Sequence, residues 1–274
     1  MTSLQEYLGS RELLHNLTLR ELRSKYKKSV LGWTWSLLNP LASVAIYTIV
    51  FSGFLDVKPP VGDPSGLQSF VLFLLCALIP WNFVSGSISL SIETLVGNGN
   101  LIKKVYFPRE LLVASTIASL LVTFSIELGV VCVILLFAGN MVLPWLPIVI
   151  VFMALLTCLV LGVGLVLSVL NVYFRDVRHF VNIALMALFY SAPIVYPATL
   201  VPKESQILGV MVPVRFLYGL NPLVRFIEAF RDLLYNLRFP SFVTTTYCIG
   251  WAAASMAFGL WVFHKLEPRL AEEV

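Results

Sequence analysis

Six long apolar stretches, near residues 35–55, 67–92, 110–138, 146–171, 180–198 and 243–264, constrain this chain more than any other feature. Each is close to or beyond the roughly 20 helical residues that cross a hydrocarbon core. Within lipid every backbone N–H and C=O must be satisfied inside the protein, so unbroken apolar runs read as helices. A β-barrel would show short alternating segments instead. Composition agrees: 58% of residues are hydrophobic, 12% are charged, and mean hydropathy is +0.87. Ordinary soluble domains carry about 25% charged residues, so a water-soluble globular or a disordered chain is excluded. A net charge of +4 is too small to argue for a nucleic-acid partner.

The expected fold is an all-α polytopic membrane protein with six transmembrane helices. A cytoplasmic amphipathic interface segment occupies 1–34, the transmembrane domain 35–264, and a cytoplasmic tail 265–274. The first 30 residues are polar and basic and lack a short apolar cleavable core, so the N-terminus is expected in the cytoplasm. With both termini inside, 13 of the 19 Lys and Arg residues fall on the cytoplasmic side, as the positive-inside bias requires. Trp33, Trp35, Trp145 and Trp261 fall near span ends, where amphipathic rings favour the interface. Cys76, Cys132, Cys158 and Cys248 lie in apolar runs without metal-ligand spacing, and read as small hydrophobes.

Three elements do not span. In the N-terminal segment Leu19, Leu22 and Tyr26 repeat at helical spacing, as do Arg20, Arg23 and Lys27 beside them. Such a helix would rest on the inner leaflet, its basic stripe at anionic headgroups. The 93–109 loop is interrupted by Gly97 and Gly99 and carries the apolar pair Leu101-Ile102 before Lys103-Lys104. Exposed apolar residues in a loop can mark a docking site; an interface-anchored loop reads equally well. The outer segment 199–242 reads as a re-entrant helical hairpin, with a short helix near 207–218 and an amphipathic one over 223–235. In the latter Leu223, Phe226, Ile227, Phe230 and Leu234 share one face, and Arg225, Glu228, Arg231 and Asp232 the other. That charged face suits an outer gate or a surface decoration.

Chemistry is sparse. No Gly-Lys dipeptide of a phosphate-binding loop occurs, and His15, His179 and His264 are scattered, so no catalytic residue and no metal site is expected. Glu127 is the one acid deep inside a span. An ionisable group there raises ion coupling, but with no basic partner in a span a hydrogen-bonded helix contact reads better. Tyr47 and Phe51 on one face of the first span, Trp81 in the second, and Phe189 and Tyr190 in the fifth would suit a glycan path, because aromatic faces stack on sugar rings; helix packing would use them equally.

Several stretches together carry a likeness. Residues 20–40 (Arg-Glu-Leu-Arg-Ser-Lys-Tyr-Lys-Lys-Ser-Val-Leu-Gly-Trp-Thr-Trp-Ser-Leu-Leu-Asn-Pro) resemble the entry to the first span of ABC-2 type permeases. The nearest branch exports lipid-linked polysaccharides, O-antigens and teichoic acids, with some likeness to actinobacterial lipid-linked galactan exporters. Leu101-Ile-Lys-Lys-Val-Tyr-Phe-Pro-Arg109 resembles its first cytoplasmic loop, and Asn171-Val-Tyr-Phe-Arg-Asp-Val177 its second. Pro193-Ile-Val-Tyr-Pro197 and Leu220-Asn-Pro-Leu223 resemble its outer segment.

The resemblance implies a non-enzymatic transport subunit in the bacterial inner membrane, paired with a second copy of itself and two ATP-binding-cassette subunits. ATP and Mg would sit on those partners, with no cofactor in this chain. The cargo would be a glycan on a polyprenyl pyrophosphate. The docking loop for the ATPase maps to Asn98, Leu101, Ile102, Lys103 and Lys104. Tyr47, Phe51, Trp81, Phe189 and Tyr190 become candidates for the substrate path, and Arg20, Arg23 and Lys27 for an entrance that meets the pyrophosphate. The outer hairpin, with Arg225, Glu228, Arg231 and Asp232, would cap the channel. A permease for a drug or lipid shares this architecture, and an ion-coupled transporter would rest on Glu127.

Overall fold

The computed structural model describes residues 4–25, 27, 32, 34–54, 58–105, 107–207 and 210–270. Tyr26, Lys28, Trp33, Tyr106 and the tail beyond Leu270, all used above, lie outside the described residues. Helix α1 spans Leu4–Lys25; α2 spans Thr34–Tyr47 and runs on as a wider π-helical stretch over Thr48–Phe54. Then come α3 (Phe70–Gly97), the short α4 (Gly99–Lys104), α5 (Glu110–Phe137), α6 (Leu146–Tyr173) and α7 (Val177–Ser191). A small antiparallel pair, β1 (Ser205–Ile207) and β2 (Val210–Val212), precedes α8 (Val214–Gly219), α9 (Pro222–Arg231) and α10 (Phe242–Leu266).

Among the described residues four helical segments are long and apolar enough to cross a membrane: α3, α5, α6 with its leading turn, and α10. They match four of the six predicted stretches. The first and fifth fall short. The apolar part of the first is Pro40–Phe54, and α7 has 15 residues, or about 22 Å at 1.5 Å per residue against a core of about 30 Å. The fifth ends early because the chain turns into Ala192-Pro193, where proline supplies no amide hydrogen to continue a helix. A second expectation is corrected in the outer segment. The single helix near 207–218 is a β-hairpin followed by α8, in keeping with β-branched Ile207, Val210 and Val212.

Helix starts follow from their caps. Asn221 accepts the Leu223 amide at 3.0 Å ahead of Pro222, and Ser241 accepts the Thr244 amide at 3.1 Å. The bundle core is aromatic where α9 enters it. Phe83 of α3 stacks on Phe124 of α5 with ring centroids 4.7 Å apart, Phe124 meets Phe230, and Phe152 of α6 meets Phe226. The whole apolar face predicted for this segment, Leu223, Phe226, Ile227, Phe230 and Leu234, is buried.

The most extensive helix pairing is α6 with α10, and small residues set it. A Cβ on Gly162 would lie 2.2 Å from the Ser255 carbonyl oxygen, and one on Gly259 would lie 2.4 Å from the Gly162 oxygen. Ser255 Oγ also donates to the Leu159 carbonyl across this seam at 2.8 Å. Close backbone approach through Gly and Ser is how helices associate where lipid removes the hydrophobic driving force. Cys76, Cys132 and Cys248 are buried free thiols and Cys158 is half-buried.

Candidate functional site

Three regions hold the candidate residues. The first is an aromatic chain. Tyr47 of α2 stacks on Phe189 of α7 at 6.0 Å and tilts against Phe51 at 6.3 Å. Trp81 of α3 meets Phe189 edge-on at 5.7 Å, and Tyr190 does so at 5.2 Å. The structure therefore links all five residues named for the path, from three helices: Tyr47, Trp81 and Tyr190 meet Phe189, and Phe51 joins through Tyr47. Trp81 is buried at one end and Tyr190 is exposed at the other. Such edge and offset contacts each contribute about 0.5–1.5 kcal/mol beyond area burial.

The second region is the outer segment, whose Arg225, Glu228, Arg231 and Asp232 all border a cavity of about 400 Å³. Arg225 Nη1 lies 3.7 Å from Glu228 Oε2, while Asp232 Oδ1 accepts from Arg238 and Asn236 at 2.8 Å each. Arg231 departs from its neighbours on the charged face: it is buried against protein, one of the two surroundings, water or protein, open to that face. Its Nη1 donates to the Pro193 carbonyl, and at 3.4 Å to that of Tyr196; Nη2 donates to Ile194 O at 2.6 Å, and Nε to Phe73 O at 3.3 Å. The guanidinium also lies 3.6 Å from the Phe73 ring centroid, a cation–π contact. Burial pulls its pKa down to about 9, which leaves it charged at neutral pH. The reason for the departure is the 193–196 turn, which folds back over α9 and covers one edge of its polar face. Burial also raises Glu228 above the usual carboxylate range, with Arg225 opposing.

Just beyond, Tyr235 is buried. Its hydroxyl lies within hydrogen-bond reach of the Pro60 and Leu67 carbonyls, at 3.0 and 2.9 Å, and accepts from the Ser69 amide at 3.3 Å. Ser65 Oγ donates to Tyr235 O at 2.6 Å, and Asn140 Nδ2 to Leu234 O at 2.7 Å. Sequence reasoning missed Tyr235 and Asn140: Asn140 is a lone polar residue in a loop, and Tyr235 ends the amphipathic 223–235 stretch, where helical spacing shows nothing of the 58–69 loop that covers its hydroxyl.

The third region lies at the opposite end of the bundle, where the 93–109 loop, the 173–178 turn and the end of α10 meet. Arg109 Nη1 donates to Glu267 O at 2.7 Å, Tyr173 Oη to Leu266 O at 3.1 Å, and Arg178 pairs with Glu93 at 2.7 Å. Asn98, between α3 and α4, accepts from Arg20 Nη2 at 2.9 Å. Lys103 and Lys104 are exposed, and so are Arg23 and Lys27. The apolar pair differs from expectation: Ile102 is buried in the core and Leu101 packs against it. A six-residue helix buries its apolar side and turns its lysines outward.

Helix α1 packs along α5, burying Leu17 and Leu22. Lys25 Nζ reaches Thr123 Oγ1 at 3.5 Å and lies within electrostatic reach of Glu127, one turn further on. Glu127 thus has a basic neighbour, from α1 and not from a span, which a helix-by-helix reading of the sequence could not see.

The chain matches the model of the ABC-2 type transporter over residues 12–235. It belongs to that family. Relatives extend over nearly its full length. An O-antigen export system permease protein RfbA of Klebsiella pneumoniae is 30% identical over 95% of this chain and 94% of its own. The RfbA protein of Myxococcus xanthus is 26% identical over 98% of both, and the polysialic acid transport protein KpsM of Escherichia coli is 24% identical over 93% of both. This ABC-2 family member is accordingly a membrane-embedded protein, and four of its described helices are long and apolar enough to cross a membrane.

Proposed function

We propose that the chain is the permease subunit of an ATP-driven exporter that moves a polyprenyl-pyrophosphate-linked polysaccharide across the bacterial inner membrane. The observation that carries this reading is end-to-end similarity to permeases whose names specify O-antigen export. The aromatic chain around Phe189 supports it, because a sugar ring offers apolar C–H faces that stacked rings can hold.

On this reading α2 with its π-helical extension, and α7, complete six crossings, with both termini in the cytoplasm. Their shortness is offset where they face a second copy and a water-filled path and not lipid alone. Two copies of the chain pair with two ATP-binding subunits, which hold ATP and Mg; the chain itself makes and breaks no bonds. Asn98, Leu101, Lys103 and Lys104 mark the docking element, with Ile102 anchoring it from below. Arg23 and Lys27 offer charge to the pyrophosphate at the entrance. At the outer end Arg225, Glu228 and Asp232 border the exit, and Arg231 holds the segment that closes it.

Affinity capture tests the partner. The detergent-solubilised chain should retain an ATP-hydrolysing subunit from its own membranes. Lys103→Glu with Lys104→Glu, which reverses two exposed charges and leaves Ile102 in place, should cut that capture at least tenfold. Nucleotide hydrolysis by the purified chain alone would contradict the proposal.

A further inference from the structure

The contact between Arg20 and Asn98 joins an element assigned to the substrate entrance with one assigned to ATPase docking. Asn98 is the pivot between α3 and α4. Its backbone amide ends α3 on the Thr94 and Leu95 carbonyls, both at 3.2 Å, and its carbonyl starts α4 by accepting from the Leu101 and Ile102 amides at 2.9 and 3.1 Å. Its side chain is held from both sides. The amide nitrogen donates to Thr94 O at 2.9 Å, which leaves the amide oxygen to accept Arg20 Nη2 at 2.9 Å. That division suits the groups: a guanidinium can only donate and a carbonyl can only accept. The positive charge also sits at the C-terminal end of α3, where the helix dipole favours a cation.

Arg20 is poorly placed as a pyrophosphate ligand. The same Nη2 lies 2.7 Å from the Glu21 carboxylate, whose charge repels a diphosphate. Beyond this contact, α1 is fastened to α5 by buried Leu17 and Leu22 and by Lys25 at Thr123. The helix is thus tied to the α3–α4 pivot at one point and to the α5 wall at the next turn.

We infer that Arg20 is a positioning residue, a strut through Asn98 that makes α1 move with α4 when a docked partner displaces it. The inference rests on the proposed docking role of α4. It reassigns Arg20 from holding cargo to transmitting motion and leaves the entrance charge to Arg23 and Lys27.

The test is initial-rate transport in proteoliposomes holding the chain, its ATP-binding partner and a polyprenyl-diphosphate-linked oligosaccharide as probe. Arg20→Ala and Asn98→Ala should each lower kcat about fivefold while KM for the probe stays within twofold. The double variant should lose about fivefold as well, because the two side chains act as one unit. Arg20→Lys, which keeps a cationic donor of similar reach, should recover at least half the rate. If Asn98→Ala transports like the unaltered chain while Arg20→Ala raises KM, Arg20 meets the diphosphate and the strut is wrong. Losses that multiply to about 25-fold in the double variant would equally overturn it. Absence of ATP-driven transport by the unaltered chain would bring down the proposed function itself, and the strut with it.

Discussion

At the outer end of the bundle, Arg231, Tyr235 and Asn140 are buried and direct their hydrogen bonds to backbone carbonyls in the 58–69 loop, the 193–196 turn, the start of α3 and the stretch that follows α9. At the opposite end buried and half-buried ties, from Asn171 to the Ile92 carbonyl at 3.0 Å, Arg109 to Glu267 O and Tyr173 to Leu266 O, stand beside ion pairs of exposed side chains. Arg178 pairs with Glu93, and Arg20 with Glu21 and Asn98, through side chains that are exposed or partly exposed. The difference is energetic as well as geometric. A buried donor that loses its acceptor forfeits the desolvation already incurred, about 1–3 kcal/mol for each group. An exposed ion pair is worth about 0–1 kcal/mol. The outer end is therefore held mainly by buried ties, and the opposite end adds to its buried ties a set of ion pairs that can rearrange at little cost. On the proposed function both are of use: adjustable contacts where a docked partner's motion enters, and a stiff closure where cargo leaves.

Breaking the outer ties should give the largest effect. Arg231→Ala strands the carbonyls of Pro193 and Ile194 in a buried site, so a loss of about 3 kcal/mol is expected, read as a fall in thermal melting temperature of the detergent-solubilised protein. Arg231→Lys should recover only part of it, since one ammonium cannot reach carbonyls on both α3 and the 193–196 turn with fixed fork geometry. Gly162→Leu should be comparably damaging, because even a Cβ there meets the Ser255 backbone at 2.2 Å; its expected readout is separation of α6 from α10 in cysteine cross-linking. Tyr235→Phe keeps the ring against Phe73 and removes the hydroxyl, so about 1–2 kcal/mol is expected, with faster proteolysis confined to the 58–69 loop. Glu93→Gln, at the opposite end, should change melting by less than about 0.5 kcal/mol, because its Arg178 partner is exposed. A Glu93→Gln loss as large as that of Tyr235→Phe would erase the contrast between the two ends.

Periodicity carried much of this architecture. Four spans and the buried face of α9 were legible because apolar spacing records which side of a helix avoids water. It does not record what covers the other side. Arg231 was placed with Arg225 and Glu228 by its helical angle, and only the fold-back of the 193–196 turn buries it. Ile102 was misjudged for the same reason, since the exposure of a short loop helix depends on what lies beneath it. The five aromatic residues were named from three separate helices, and nothing in their spacing showed that contacts through Phe189 would link them. The α6–α10 seam carries its own signal in the sequence: Gly162 within one apolar run, and Ser255 four residues before Gly259 in another.

The most direct test is reconstitution of the chain with its ATP-binding partner in liposomes loaded with polyprenyl-diphosphate-linked glycan on one leaflet. Added ATP should move the glycan to the opposite leaflet, where a lectin can bind it, and omission of either subunit should stop the movement. Glycan transfer by this chain alone, or transfer driven by an ion gradient with no nucleotide present, would contradict the account.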